Sequence, residues 1–167
     1  MFRRWGRMGM SLHERLLEQF LSNLKTNLEE KGFESNYKLI RRHLRLYRLD
    51  NHHKPYFLSI HESLCGFWEI SPGWEEVTHL IPSENTNWAF IFLHKPSRDN
   101  HPLGFLISGN DFIEMMSRFS INRMGRIRIH EKDLSSRNKF NNWKSFFRLL
   151  TRSHFRDDSK MSNYLHV

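Results

Sequence analysis

The sequence predicts an α+β fold in which a mixed, mostly antiparallel sheet of about six strands packs against helices. Three observations lead to this prediction. Unbroken apolar runs at 88–93 and 103–107 have the length of strands that are buried on both faces. Residues 126–130 alternate basic and apolar side chains, as a half-buried strand does. Residues 12–28 and 143–150 instead repeat apolar side chains every three or four positions, the spacing of amphipathic helices.

The composition suits one compact domain. The chain has 167 residues with 38% apolar content, and we assign the domain to residues 11–152. Residues 1–10 are basic without the apolar core of a secretory signal, so they and the polar residues 153–167 are expected to be flexible tails. The single cysteine excludes an intrachain disulfide, and no apolar run reaches the ~20 residues of a membrane span. We therefore expect a cytoplasmic protein without membrane contact.

The first helix is predicted over residues 11–31. Ser11 and Glu14 have the spacing of a capping box, and Gly32 is well placed to end the helix. The stretch that follows is ambiguous, because its apolar residues do not share one face of a helix. Alternation of leucine with other side chains favours a strand over residues 43–49.

Strands are also predicted over residues 56–60 and 67–70. Residues 63–66 provide a short loop that contains a glycine, so these strands are expected to pair as a hairpin. A short helix over residues 74–80 follows, with glutamates in its first turn, where the helix dipole favours them.

The apolar strands at 88–93 and 103–107 flank a polar turn, so they are expected to form an antiparallel pair. Ser108 can cap the next helix, whose apolar residues recur at helical spacing from Phe112. The strand at 126–130 comes next.

A polar connection leads from that strand to the last helix. Asn141 or Asn142 caps this helix, which ends near Arg152. Its apolar face includes Trp143 and Phe146.

The charge points to an anionic partner, and nucleic acid is the partner that we predict. Lys and Arg total 26 against 18 Asp and Glu, which gives a net charge of +8. Two basic clusters would form one positive surface if the fold brought them together, and Tyr47 would add a ring for base stacking. The predicted nucleic-acid-binding residues are Arg41, Arg42, Arg45, Arg48, Arg123, Arg126, Arg128 and Lys132.

The order of the predicted elements resembles that of the restriction-endonuclease-like core. This resemblance implies an acidic residue on one strand and Glu-x-Lys or Asp-x-Lys on the next, holding a divalent ion that activates water. Glu62 and Glu69 are the acidic candidates, and Lys95 is a displaced lysine. Glu69 is followed by Ile70 and Ser71, so the motif itself is missing. A divalent metal is expected only if the protein is a nuclease of this kind.

Other patterns of catalytic or metal-binding residues are weak. His94 and His101 lie on either side of a turn, without the cysteine partners or HExxH spacing of zinc sites. Cys65 has His61 nearby but no other feature that would activate a thiol. We therefore predict no metal site and no small-molecule cofactor.

Three functions remain open on the sequence alone. The first is nucleic-acid binding through a basic face, on a nuclease-like fold without the usual catalytic motif. The second is a protein-interaction or regulatory module, and the third is a divalent-metal-dependent nuclease. Oligomeric state is not predicted.

Overall fold

The computed structural model describes residues 11–30, 37–50, 55–81, 87–96 and 101–152. Within these ranges it has the α+β fold that the sequence predicts, with a six-stranded mixed sheet, a three-stranded sheet and four α-helices. The predicted tails lie outside the described residues, as does Gly32. No described helix is long and apolar enough to cross a bilayer.

The described residues form nine strands and four helices. The strands are β1 Tyr37–Arg41, β2 Leu46–Leu49, β3 Tyr56–Ser63, β4 Phe67–Ile70, β5 Trp88–His94, β6 Leu103–Ser108, β7 Ser120–Ile121, β8 Ile127–His130 and β9 Lys139–Phe140. The helices are α1 Leu12–Glu30, α2 Glu76–Leu80, α3 Gly109–Met115 and α4, residues 143–152. A 3-10 turn, Pro72–Glu75, leads into α2.

The large sheet has the order β1-β2-β3-β5-β6-β9. Its neighbours are antiparallel except for β3 and β5, which run parallel at its centre. The small sheet has the order β4-β8-β7 and is antiparallel throughout. The predicted antiparallel pairing of β5 with β6 is confirmed, but this topology does not confirm a restriction-endonuclease-like core.

The large sheet has a hydrophobic core on each face. Successive side chains of a strand point to opposite faces, so Phe90 of β5 enters one core and Ile91 the other. One core contains residues of α1 and α4, such as Leu24 and Phe146, both fully buried. The other contains residues of the small sheet, α2 and α3. β5 and β6 are therefore covered on both sides, which explains their unbroken apolar runs.

The predicted helix caps are confirmed. Ser11 Oγ accepts the Glu14 N–H at 3.1 Å, and the Glu14 carboxylate accepts the Ser11 N–H at 3.1 Å. Ser108 Oγ accepts the N–H of the residue three positions on at 3.2 Å, at the start of α3. Of the two candidates for α4, Asn142 is the cap whose Oδ1 accepts the Ser145 N–H at 2.7 Å. These contacts fix where each helix begins.

The predicted hairpin of residues 56–60 and 67–70 is wrong. β3 already has β2 and β5 on its two edges, and β4 pairs with β8 in the small sheet. Ser63 Oγ accepts the N–H groups of Cys65 at 3.2 Å and Phe67 at 3.1 Å, and Gly66 adopts φ +73°. The short loop therefore carries the chain from one sheet to the other.

The single strand predicted over residues 43–49 is also corrected. The structure has two antiparallel strands, β1 and β2, joined by a turn over residues 42–45. Arg45 has φ 51°, in the left-handed region, and its carbonyl accepts the Ile60 N–H at 3.0 Å. β1 is an edge strand with three exposed or half-exposed polar positions, so its apolar alternation is too weak to detect.

Candidate nucleic-acid interface

The first predicted basic cluster lies on β1, β2 and the turn between them. Arg45 pairs with Glu62 of β3, whose side chain is only 4% exposed. Arg48 Nε lies 2.8 Å from Asp50 Oδ1. The other two arginines of the cluster are exposed and have no carboxylate within 4.0 Å among the described residues. Half of this cluster is therefore held in ion pairs within the protein.

The second predicted cluster lies on β8 and its flanks. Arg126 Nη1 is 3.4 Å from one carboxylate oxygen of Glu69, and Arg128 Nε is 3.5 Å from the other. The side chains of Ile127 and Ile129 are buried, so the predicted alternation of this strand is correct. Arg123 and Lys132 are exposed and have no carboxylate partner within the described ranges. In each cluster, two of the four cations are thus paired with neighbouring carboxylates. The two clusters also lie on different sheets.

The catalytic candidates do not share a site built from two carboxylates and a lysine. Glu62 is on β3 of the large sheet and Glu69 on β4 of the small one, and each is bound by arginine. Lys95 is exposed just beyond the end of β5. The part of the chain that the structure describes contains no group of three or more His, Cys, Asp or Glu side chains arranged to hold a metal.

A buried Ser–His pair lies under the turn at residues 42–45. Ser59 Oγ donates to the Leu44 carbonyl at 2.8 Å and lies 2.9 Å from His61 Nε2. Because the hydroxyl has one hydrogen, His61 Nε2–H is the donor to Ser59. Burial lowers the pKa of His61 to about 3, and the Arg45 charge adds to this effect. The pair joins β3 to the turn, and its hydroxyl is not oriented for attack on a substrate.

The proposal that Tyr47 stacks on a base is wrong. Tyr47 is 8% exposed and lies in the core that faces α1. Its ring makes an edge contact with Tyr37, with centroids 6.0 Å apart. Burial and the neighbouring Tyr37 raise the pKa of Tyr47. This tyrosine therefore stabilises the fold and is not accessible to a ligand.

The remaining candidates also make contacts within the protein. Cys65 is exposed, and its Sγ lies 3.8 Å from Ser63 Oγ. His94 and His101 line the same small cavity of about 20 Å³, as their positions on either side of the turn suggested. His94 Nε2 lies 4.0 Å from a carboxylate oxygen of Glu131.

A basic groove lies between β6, α3, α4 and the chain segment before β9, with a volume of about 330 Å³. The sequence prediction did not include it. Its lining contains two buried apolar residues, Leu106 and Leu149. Three exposed arginines also line it: Arg118, Arg137 and Arg152. None of these three has a carboxylate within 4.0 Å among the residues that the structure describes.

The groove continues into a row of basic residues along α4. Lys144, Arg148 and Arg152 are spaced by four, so they share one side of the helix, and all three are exposed. Phe146 and Leu150 on its other side are fully buried. Arg152 belongs to both the row and the groove. We call these cations together the α4 basic surface, formed by Arg118, Arg137, Lys144, Arg148 and Arg152.

The α4 basic surface belongs to a strongly basic part of the chain. Residues 118–152 contain ten Lys and Arg side chains but only two carboxylates. Three of these ten cations, Arg126, Arg128 and Lys139, form ion pairs. The other seven have none with the described residues. The spacing by four in α4 was visible in the sequence, whereas only the tertiary structure brings Arg118 and Arg137 to the same groove as Arg152.

Comparison with known proteins gives no guide to function. No protein-family model matches the chain, and no curated protein matches it. The function must therefore be argued from the site itself.

Proposed function

We propose that the protein binds nucleic acid through the α4 basic surface. The observation that carries this proposal is the group of five exposed cations on α4 and around the groove, none of which is neutralised by a described carboxylate. Lys and Arg contacts to phosphate supply affinity without sequence specificity. Release of counterions from the nucleic acid makes such binding strong at low salt.

The two clusters predicted from the sequence have a smaller role in this proposal. Four of their arginines would have to exchange a carboxylate partner for a phosphate, which reduces the net gain. The four without such partners add long-range attraction to an anionic ligand. These four are Arg41, Arg42, Arg123 and Lys132.

An acidic protein is the alternative partner for the same charge. A planar guanidinium can bind two oxygens of a phosphate or of a carboxylate together, so this geometry alone does not separate the two partners. Three arginines around one groove support phosphate over scattered carboxylates. Metal-dependent nuclease activity gains no support, because the carboxylates proposed for it are paired with arginines. A cytoplasmic location remains a prediction from the sequence.

The test is the affinity for a labelled oligonucleotide, measured by fluorescence anisotropy from about 50 to about 200 mM salt. The double variant Lys144→Ala/Arg148→Ala is expected to bind about tenfold more weakly at the lower salt concentration. Its slope of log Kd against log salt should be smaller by about 2, because two phosphate contacts are lost.

The control is the double variant Arg15→Ala/Lys25→Ala. Both residues are exposed on α1, and their removal changes the net charge by the same amount. This control should bind almost as the unmodified protein does. An equal loss in both variants, or binding that does not depend on salt, would contradict the proposed interface.

A further inference from the structure

The lining of the groove is not uniformly basic. Asp111 and Glu114 of α3 also line it. Glu114 is exposed, and its carboxylate has neither an ion pair nor a hydrogen bond with the described residues. Met115, which is half-buried, adds apolar surface above the buried Leu106 and Leu149. A carboxylate repels a phosphate backbone, so a surface that only followed the outside of a duplex would gain nothing from Glu114.

The volume suits a small ligand. At about 330 Å³ the groove lies near the lower end of the size range of ligand pockets. It is therefore large enough for one nucleotide and too small to accept a duplex. The face of a base becomes accessible to a pocket only when the nucleotide is unstacked from its neighbours.

Two hydroxyl groups add hydrogen-bond donors to this lining. Ser108 Oγ and Ser135 Oγ each accept a backbone N–H, from Asp111 at 3.2 Å and from Arg137 at 3.3 Å. Within the described ranges neither hydroxyl hydrogen has an acceptor. Each can therefore donate to a phosphate oxygen while it continues to accept the backbone N–H.

We propose that the groove binds one unstacked nucleotide, so that single-stranded nucleic acid is preferred over duplex. This inference rests on the proposed function and specifies the ligand class of the same surface. Arg118, Arg137 and Arg152 bind the phosphate, as their guanidinium geometry favours. The side chain of Met115, the half-buried apolar residue of the lining, contacts the sugar and base. Glu114 accepts a hydrogen bond from an exocyclic amino group of the base.

The first experiment compares four ligands by isothermal titration calorimetry: cytidine monophosphate, uridine monophosphate, ribose 5-phosphate and inorganic phosphate. Cytidine monophosphate should bind at least about tenfold more tightly than inorganic phosphate, because it also gains base and sugar contacts. It should bind about fivefold more tightly than uridine monophosphate, which has a carbonyl in place of the amino group. The difference in affinity between cytidine and uridine monophosphate thus measures the contribution of the contact with Glu114.

The second experiment repeats the titrations on Glu114→Gln. This variant should lose the preference for cytidine over uridine monophosphate, because a neutral amide is both a donor and an acceptor. The control is Glu29→Gln, an exposed glutamate on α1 that should keep the preference. Single-stranded and duplex forms of one oligonucleotide are compared in parallel, and the single strand should bind several-fold more tightly.

The failure of this inference is distinguishable from failure of the proposed function. The nucleotide groove is overturned if cytidine monophosphate binds no better than inorganic phosphate, if Glu114→Gln keeps the preference, or if duplex binds as well as single strand. Salt-dependent oligonucleotide binding that persists in those cases leaves the proposed function in place. Absence of all oligonucleotide binding overturns both proposals.

Discussion

Individual ion pairs show why the number of cations in the sequence exceeds the number that can bind an anionic ligand. Glu69 binds both Arg126 and Arg128, although Arg126 is 57 positions away in the chain. Arg45 likewise finds Glu62 at a separation of 17 positions. A long-range ion pair depends on how the strands are placed, so it leaves no local signal in the sequence. The sequence therefore overestimates how many cations of the predicted basic clusters are free to bind a ligand.

His61 leads to an expectation for the pH dependence of stability. Burial lowers its pKa to about 3, whereas in the unfolded chain it titrates near 6.5. The unfolded state therefore binds more protons as the pH falls below about 6.5, and the free energy of unfolding should decrease by up to about 1.4 kcal/mol per pH unit. Urea denaturation between about pH 7.5 and about pH 4.5 measures this slope.

The variant His61→Gln should have a smaller slope in this range, whatever its stability at neutral pH. His79→Gln is the control for the substitution itself, because His79 is exposed whereas His61 is buried. A slope that is the same in His61→Gln and the unmodified protein would mean that His61 does not titrate as we expect.

Among the elements, α3 packs against β5 through a position where no side chain fits. Gly109, the first residue of α3, is buried, and an added Cβ would overlap the ring of Trp88. The same contact brings Phe112 of α3 over Phe90 of β5, with ring centroids 4.0 Å apart. Because α3 forms one wall of the groove, this contact also fixes where Glu114 and Arg118 lie.

We expect Gly109→Ala to lower the free energy of unfolding by about 2–3 kcal/mol, because the helix must move away from Trp88. The measurement is the urea midpoint. Gly73→Ala is the matched control, since the nearest atom to an added Cβ there is a Leu44 methyl carbon at 3.9 Å. A midpoint for Gly109→Ala that equals that of the control would show that α3 can shift without cost.

For the molecule as a whole, the two cores share one sheet. β3, β5 and β6 contribute side chains to both cores, so neither core can lose its contacts while the sheet stays intact. Three tryptophans, Trp68, Trp74 and Trp88, lie in the core that faces the small sheet. The fluorescence of these three residues reports on the unfolding of that core alone. It can therefore show whether a substitution in the other core destabilises both cores together.

We expect the protein to unfold in one transition, with the same midpoint by tryptophan fluorescence and by far-ultraviolet circular dichroism. Leu24→Ala, in the core that faces α1, should lower the stability by about 2–5 kcal/mol. It should shift the fluorescence midpoint equally, although those three tryptophans lie in the other core. Trp5→Phe/Trp143→Phe is the background for this test: it leaves only the three core tryptophans, and Trp143 packs against the same core as Leu24. Separate midpoints for the two probes would show that the faces unfold independently.

Much of the secondary structure could be predicted because its causes are local. The α1 capping box, the apolar runs of β5 and β6, and the alternation in β8 each depend on residues a few positions apart. The pairing of β4 with β8 could not be predicted in this way. The local sequence of a strand that follows a short loop is the same whether the strand pairs with the preceding strand or joins a second sheet. The groove escaped prediction for the same reason, since Arg118, Arg137 and Arg152 come from separate segments.

By itself, the sequence determined the fold class, the net positive charge and the start of each main helix, since periodicity, composition and caps are properties of neighbouring residues. The packing of distant segments determined which cations are neutralised and which surround a groove. An ion pair or a pocket exists only when side chains from different strands and helices meet in space. That is why Arg126 is bound by Glu69, whereas Arg152 lines the groove without a carboxylate partner among the described residues.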